Sequence, residues 1–362
     1  MENDTLIREL RAEAQDIGVF FPLIEQTDAL EQTENVHGQT VVNRAVLCIQ
    51  AGNDADENGA PTADTIARYT AAVREKQYGI VWLEPAAVSA DARYYDQGLV
   101  FCKENIEAFR ALVSAVREAS LAAFGTAPLM IALLDHAGHH ALKPVAMEHS
   151  ESLPTDAPIL SDDDLTQIML ACGAAAKAAE EAGFAGAALN AADRSLFGES
   201  LAAFHRDGKF GGDFDDRTRF LRDCYTAMKM VTTDKLFYTI RLCLSDGIEQ
   251  PDGWGMAFED LSAPDLYEPA LLMKILQALY GVKMVLCSIG IPDVNWMLAA
   301  EPESDLIRYS RLCTCVAMLD SDMQQNVQLI LPELESAEIP FENLAAGMIQ
   351  GEFASFAGFT AR

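Results

Sequence analysis

Short apolar runs recur along the chain, and longer segments with apolar residues at helical spacing separate most of them. A run of five to eight aliphatic, aromatic and β-branched residues predicts a buried strand, whereas apolar positions three and four apart predict an amphipathic helix. Strands are predicted at 44–49, 78–84, 128–135, 185–190, 236–243, 282–288, 327–331 and 353–359. Helices are predicted at 62–77, 104–123, 161–182, 214–232, 265–280, 304–320 and 341–350.

This alternation of strand and helix predicts a parallel sheet. The strands are apolar on both faces, and a crossover helix is the short way to return the chain between parallel strands. Eight such units fit a closed (β/α)8 TIM barrel occupying residues 41–362, with residues 1–40 as a helical and extended lead-in packed on it. An open doubly wound sheet is the rival, although no G-x-G-x-x-G loop follows the first strand. Because the sequence ends at Arg362, the barrel is expected to lack the helix after strand eight.

Composition and charge exclude several classes of partner. The chain has 362 residues, of which 50% are hydrophobic, and 55 acidic residues against 26 basic ones give a net charge of -29. Such an acidic surface repels phosphate backbones and anionic lipid, so neither nucleic acid nor a membrane is expected as a partner. The polar N-terminus and the absence of any long apolar run predict a cytoplasmic protein. The eight cysteines follow no disulfide or zinc-site spacing and are expected to be reduced.

In a barrel the chemistry belongs to the carboxyl ends of the strands and the loops that follow them. Arg241 lies within the apolar strand YTIRLCLS, where a charge must meet either a structural partner or a ligand, and we favour a ligand. His136, His139 and His140 follow Asp135 at the end of strand three. A metal site is one interpretation of these histidines, but the pattern lacks H-E-x-x-H, so we predict no metal and a loop that orients a substrate.

Polar residues also end strand four. Asn190 and Asp193 lie three residues apart, with Ser195 two positions further on. Asp193 could serve as a general acid or base if it were desolvated, and a helix cap or a solvated carboxylate is the structural alternative. The sequence alone leaves both open.

Several segments together resemble the Old Yellow Enzyme family of FMN-dependent ene-reductases and NADH:flavin oxidoreductases. The matching segments are VVNRAVLCIQAGNDADENGAPTADTIARY (41–69), YGIVWLEPAAVSADAR (78–93), AEEAGFAGAALNAADRSLFGESLAAFHRDGKFGGDFDDRTRFLRD (179–223) and IRLCLSDG (240–247). The third is similar to the family's strand-four segment and its Y-G-G-S-x-x-N-R-x-R-F signature. The resemblance implies a (β/α)8 barrel that binds FMN across its mouth and takes hydride from NADH or NADPH.

The resemblance also implies roles for individual residues. Arg241 would face the N1 and O2 atoms of the flavin, where a cation stabilises the reduced ring. Arg362 is the nearest match to the arginine that contacts the flavin phosphate. The residues implied to run beneath the ring are Ile49, Gln50, Ala51 and Gly52.

The chain departs from the family at several of these positions. Leu133 stands where a glutamine normally bonds the flavin pyrimidine. Asn190 and Asp193 replace the pair that grips the substrate carbonyl, and Ser195 replaces the tyrosine that often donates the proton, so these three are the expected catalytic residues. Ile49 and Gln50 replace a proline and a methionine under the ring, and the strand-seven glycine pair that holds phosphate has become PELES.

Three functions follow as alternatives. The first is an FMN-dependent NAD(P)H oxidoreductase that reduces an activated alkene or similar small molecule. The second is a degenerate barrel that binds or scaffolds without turnover. The third is an unrelated barrel enzyme, such as a lyase that uses Asp135, Asp193 or His136 on a carbonyl substrate. A homo-oligomer or association with an active relative stays open.

Overall fold

Strands and helices alternate in the computed structural model of the protein. It describes residues 31–152, 155–258 and 264–291, the backbone of 357–361, and four isolated positions before residue 31. The strands are β1 Glu34–Val36, β2 Gln39–Val41, β3 Ala45–Ile49, β4 Ile80–Trp82, β5 Ala86–Ala87, β6 Leu129–Asp135, β7 Gly186–Ala191, β8 Phe237–Ser245, β9 Val285–Ile289 and β10 Ala357–Ala361. The α-helices are α1 Ala63–Glu75, α2 Ile106–Phe124, α3 Asp162–Ala182, α4 Leu196–Leu201, α5 Phe214–Val231 and α6 Tyr267–Tyr280.

All the strands from β3 onward belong to one parallel sheet. Its order is β10-β3-β4-β6-β7-β8-β9, and β5 pairs with the end of β6. From β3 to β9, each strand in this order lies beside the next one along the chain, and β10 lies beside β3. This is the order of a barrel wall, whereas the order of a doubly wound sheet reverses part-way. The barrel prediction is confirmed, and the open sheet is excluded.

Side chains of the sheet divide between two hydrophobic clusters, as the alternation of a strand requires. On β3, for example, Ala45, Leu47 and Ile49 pack under the helices, while Val46 faces the opposite side. That opposite cluster combines Val46 with Ile80, Trp82, Ile131 and residues of β7 and β8. A second apolar cluster enclosed by the strands is the filled interior of a barrel.

The β1–β2 hairpin covers the floor of this interior. Val36 and Val41 are 3% exposed and belong to the interior cluster. The imidazole of His37, at the turn of the hairpin, stacks on Phe237 with 4.4 Å between ring centroids. Since Phe237 begins β8, the hairpin closes the end of the barrel opposite the carboxyl ends of the strands.

Local signals in the sequence account for the helix ends. α3 begins after Ser161, whose hydroxyl accepts a hydrogen bond from the Asp164 backbone N–H while the Asp164 carboxylate accepts one from the Ser161 backbone. It ends at Gly183, which takes the left-handed conformation at φ 96°. No described helix is long and apolar enough to cross a membrane.

The predicted elements agree with the observed ones wherever the structure describes the chain, with ends shifted by a few residues. The largest shifts are at the starts of the last strand, observed at Ala357–Ala361, and of strand six, observed at Val285–Ile289. The hairpin β1–β2, β5 and the short helix α4 were not predicted. The predicted elements at 304–320, 327–331 and 341–350 lie outside the described residues.

Candidate active site

A cleft opens at the carboxyl ends of β3, β4, β6 and β7. It encloses about 790 Å³ of space free of protein atoms, including its open mouth. The cleft is lined by Ala51, Asn53, Glu84, Pro85, Ala87, Arg93, Tyr94, Tyr95, Gly98, Leu99, Asp135, Ala137, His140, Asn190, Asp193 and Ser195. Its place is the one that the barrel architecture assigns to an active site.

Three interior positions at the mouth carry polar side chains. Asp135 ends β6, and Asn190 on β7 is the register partner of Arg241 on β8. The preceding residues Leu134, Leu189 and Ile240 pack under the helices. Because successive residues of a strand point to opposite faces, all three polar side chains point into the barrel. The parallel sheet thus brings together three polar side chains that lie far apart in the sequence.

These groups form two adjacent pairs. The Asn190 amide Nδ2 donates a hydrogen bond of 3.0 Å to Asp135 Oδ1. Arg241 Nη2 lies 2.6 Å from Asp193 Oδ2 in an ion pair whose side chains are 13% and 35% exposed. Burial raises the pKa of Asp135 to about 6, although the Asn190 hydrogen bond and the charge of Arg241 oppose the increase. The mouth therefore holds one buried carboxyl next to an amide and one carboxylate next to a guanidinium.

The turn after β7 determines where Asp193 and Ser195 point. Asp193 and Arg194 have φ of 51° and 53°, a left-handed conformation that is uncommon for residues other than glycine. The Ser195 hydroxyl donates a short hydrogen bond to the Asn190 carbonyl and accepts one of 3.3 Å from the Gly198 N–H. Ser195 therefore caps α4, and its proton is engaged by the backbone.

A second ion-pair network fixes the loop after β3. Arg68 on α1 donates to both carboxylate oxygens of Asp54 at 3.0 Å, to Glu84 Oε1 at 2.5 Å and to the Gln50 carbonyl at 3.0 Å. Glu84 Oε2 accepts a hydrogen bond of 2.8 Å from the Gly52 N–H. A Cβ at position 52 would lie 2.3 Å from the Arg68 guanidinium, so any residue other than glycine would require Arg68 to move.

Aromatic side chains form one rim of the cleft. Tyr94 and Tyr95 are 44% and 46% exposed, with their ring centroids 4.6 Å apart. Tyr94 also contacts His140 at 5.2 Å between centroids. A planar ligand in the cleft would find flat, half-exposed rings at its edge.

The remaining predicted site residues occupy different places. Ala51 lines the cleft, whereas the Ile49 side chain packs in the cluster under the helices. Leu133 is buried in the barrel interior beneath the mouth. Arg362 lies outside the described residues.

The three predicted loop histidines stand in different environments. His136 is buried, and burial lowers its pKa to about 4. The rings of His139 and His140 lie 3.9 Å apart between centroids. Among the described residues, no group of three histidine, cysteine, aspartate or glutamate side chains could hold a metal ion.

Comparison with known proteins identifies the family. The sequence profile of the NADH:flavin oxidoreductase / NADH oxidase family matches residues 35–259. The chain belongs to this family. It is 30% identical over 236 residues to a NADPH dehydrogenase of Bacillus pumilus, with 61% of this chain and 66% of that protein covered. A NADPH dehydrogenase of Bacillus subtilis is 29% identical over 238 residues, covering 61% and 67%. The chain thus spans just under two thirds of the length of the first relative.

Solved structures of the NADH:flavin oxidoreductase fold resemble this one. The structure of 2-naphthoyl-CoA reductase with 2-naphthoyl-CoA superposes with a TM-score of 0.70 at 15% identity, covering 92% of this chain and 50% of that one. Morphinone reductase with tetrahydroNAD gives 0.60 at 16% identity, covering 92% and 86%. The Old Yellow Enzyme homologue from Zymomonas mobilis gives 0.58 at 19% identity, covering 74% and 75%. These likenesses support the same barrel fold.

Sequence reasoning missed three features of the site. Glu84 ends the predicted strand YGIVWLE, and an acid after an apolar run was a signal that it lies at the mouth. Arg68 gave no such signal, because one arginine on a helix is ordinarily solvated. Tyr94 and Tyr95 stand in the loop after strand two, where adjacent aromatic residues in a polar segment could have been noticed.

Proposed function

We propose that this chain is an FMN-dependent NAD(P)H oxidoreductase that reduces an activated alkene or a similar conjugated small molecule. Family membership implies FMN as the cofactor and NADH or NADPH as the source of hydride. The observation that carries the proposal for this chain is Arg241, a guanidinium inside the barrel mouth next to an open cleft. We include a cytoplasmic location in the proposal. We also include no nucleic-acid partner, since a net charge of -29 repels phosphate backbones.

The described residues fit the ring end of FMN. The Asn190 Oδ1 atom is buried and has no hydrogen-bond partner among the described residues, so it can accept a hydrogen bond from a bound molecule. Arg241 supplies the positive charge that an electron-accepting ring requires. The predicted phosphate contacts, in the segment PELES and at Arg362, fall outside the described residues.

When bound, FMN would supply the chemistry of hydride transfer between NAD(P)H and the acceptor. Arg241 would hold the ring by charge, while Asp193 fixes the direction of the guanidinium. The loop Gln50–Gly52, held by Arg68 and Glu84, would support the ring from below. Tyr94 and Tyr95 at the rim favour a planar acceptor that can stack on them.

The other two functions have less support. The relatives are named as NADPH dehydrogenases, which does not favour a scaffold without turnover. Family membership argues against an unrelated lyase.

The test begins with flavin binding. The purified protein is incubated with FMN, freed of excess cofactor and examined for a visible flavin spectrum, then titrated with NADPH and NADH without oxygen. We expect bound flavin that either nucleotide bleaches. A protein that retains no flavin would refute the proposal.

Arg241→Ala is expected to weaken FMN binding about 10- to 100-fold, since a hydrogen bond from a charged donor contributes about 1.5–3 kcal/mol. Arg241→Lys is the matched variant, because it keeps a cation for Asp193. It should bind FMN more tightly than the alanine variant. Equal binding by wild type and both variants would remove Arg241 from the flavin site.

A further inference from the structure

The proton donor of this reaction is a separate question, because the two residues expected to supply it are already engaged. Asp193 is the acidic member of the ion pair with Arg241, at 2.6 Å, so its carboxylate is engaged by the guanidinium. The Ser195 hydroxyl donates to the Asn190 carbonyl and accepts from Gly198. Neither side chain presents an available proton to the cleft.

Two other carboxyls line the same cleft, those of Glu84 and Asp135. Glu84 accepts hydrogen bonds from the Arg68 guanidinium and the Gly52 N–H. Asp135 is 8% exposed, ends β6 with its side chain directed into the barrel mouth, and accepts a hydrogen bond from Asn190. Its side-chain hydrogen-bonding partner is a neutral amide rather than a cation, although the donated hydrogen bond itself favours the ionised form. Burial favours the protonated form of such a group.

From this geometry we infer that Asp135 is the catalytic residue that gives the proton to the acceptor. The inference rests on the proposed function. The carbon–carbon π bond of the acceptor breaks. One carbon receives a hydride, whose electron pair comes from NAD(P)H by way of the cofactor, and the neighbouring carbon receives the proton of Asp135. Asp135 is left as a carboxylate and regains a proton from water through the open cleft. NAD(P)H is oxidised to NAD(P)⁺, and the acceptor gains two hydrogens and two electrons.

Several charged groups share the surroundings of Asp135. Arg241 on β8 favours its ionised form, whereas Asp193 after β7 disfavours it. Glu84 after β4 and His140 after β6 line the same cleft. The protonated form of Asp135 is the active one, so proton donation is fastest below its pKa and declines as the pH rises through it.

The first test needs no cofactor. Protein labelled with ¹³C at the aspartate carboxyl carbons is titrated by NMR between pH 5 and 8, above the range in which solvated aspartates titrate. Among the described residues, Asp135 and Asp246 should respond there, because burial raises the pKa of Asp135 to about 6 and that of Asp246 to about 7. Asp135→Asn should remove one of these titrations, while the exposed-site control Asp156→Asn should remove neither. A spectrum in which Asp135→Asn removes no titration above pH 5 overturns the inference.

The second test separates the two half-reactions by stopped-flow spectroscopy. Asp135→Asn should leave flavin reduction by NADPH within about threefold of wild type and slow reoxidation by an enone about 100- to 10,000-fold, the usual contribution of a general acid. It should also abolish the decline of that rate at high pH, and Asp135→Glu should restore part of both. Equal reoxidation rates and pH profiles in wild type and Asp135→Asn overturn the inference while the proposed function stands. Failure of wild type to bind flavin overturns the proposed function, and the inference with it.

Discussion

Replacing Glu84 by glutamine is expected to destabilise the protein through the loop that follows β3. The Glu84 side chain is 3% exposed and accepts hydrogen bonds from Arg68 Nη2 at 2.5 Å and from the Gly52 N–H at 2.8 Å. The backbone N–H of Glu84 in turn donates to the Tyr69 hydroxyl at 2.8 Å. Glu84 thus connects the end of β4 to α1 and to the loop at residues 50–52.

The size of the effect depends on what the remaining groups retain. Removing one member of a fully buried ion pair costs about 3–5 kcal/mol, because a charge is left without compensation. Arg68 keeps both hydrogen bonds to Asp54, at 3.0 Å each, and the glutamine oxygen can still accept from Gly52. One charge-assisted hydrogen bond is therefore lost, which is worth about 1.5–3 kcal/mol.

Urea denaturation of Glu84→Gln, Arg68→Met and the double variant would measure this contribution. We expect the two substitutions to be coupled by about 1 kcal/mol or more, since their side chains are in direct contact. Glu118→Gln, at an exposed position of α2, is the matched control and should change the free energy of unfolding by less than about 0.5 kcal/mol. If Glu84→Gln is as stable as Glu118→Gln, the network does not hold the loop, and the support proposed for the flavin ring is wrong.

Two further predictions concern buried charge and pH. Arg217 is 1% exposed and donates to both carboxylate oxygens of Glu268, at 2.8 and 3.0 Å. We expect Arg217→Met to lower the free energy of unfolding, measured by urea denaturation, by about 3–5 kcal/mol. A loss under about 1 kcal/mol would contradict this. Burial lowers the pKa of His136 from 6.5 to about 4. The free energy of unfolding should therefore be highest above pH 6.5 and should fall by about 3 kcal/mol as the pH falls toward 4, because the buried ring must then gain a proton. His136→Asn, whose side-chain oxygen can replace Nδ1 as the acceptor for the Gly138 N–H, should flatten that pH dependence, and an unchanged slope would contradict the assignment.

Much of the barrel was predictable because its strands are buried on both faces. The strands β3, β6, β7, β8 and β9 coincide with continuous apolar runs, and such runs leave little choice but a parallel sheet. The β1–β2 hairpin was missed because its residues, ENVHGQTV, are largely polar and only Val36 and Val41 are buried. Its signal was the turn at His37 and Gly38, which have φ of 49° and 81°.

The candidate site was predictable in location but not in its pairings. The rule that function lies at the carboxyl ends of barrel strands points directly to Asp135, Asn190 and Arg241. The direction of the Asp193 side chain could not be predicted from the sequence. It depends on the left-handed conformation of Asp193 and Arg194, and neither is a glycine, the residue that would indicate this conformation. This turn brings the carboxylate of Asp193 to Arg241.

The three acidic side chains at the barrel mouth differ in the groups that they contact. Glu84 accepts hydrogen bonds from a guanidinium and a backbone N–H, and Asp193 forms an ion pair with a second guanidinium. Contact with Arg68 favours the charged form of Glu84, but burial outweighs it and raises the pKa of that carboxyl. Asp135 instead accepts its hydrogen bond from the neutral amide of Asn190, while the charge of Arg241 favours its ionised form and that of Asp193 disfavours it. Burial outweighs the hydrogen bond and the attraction of Arg241 and raises the pKa of Asp135 to about 6, which is why this carboxyl, placed in the cleft without direct contact to a cation among the described residues, is the one assigned to proton transfer.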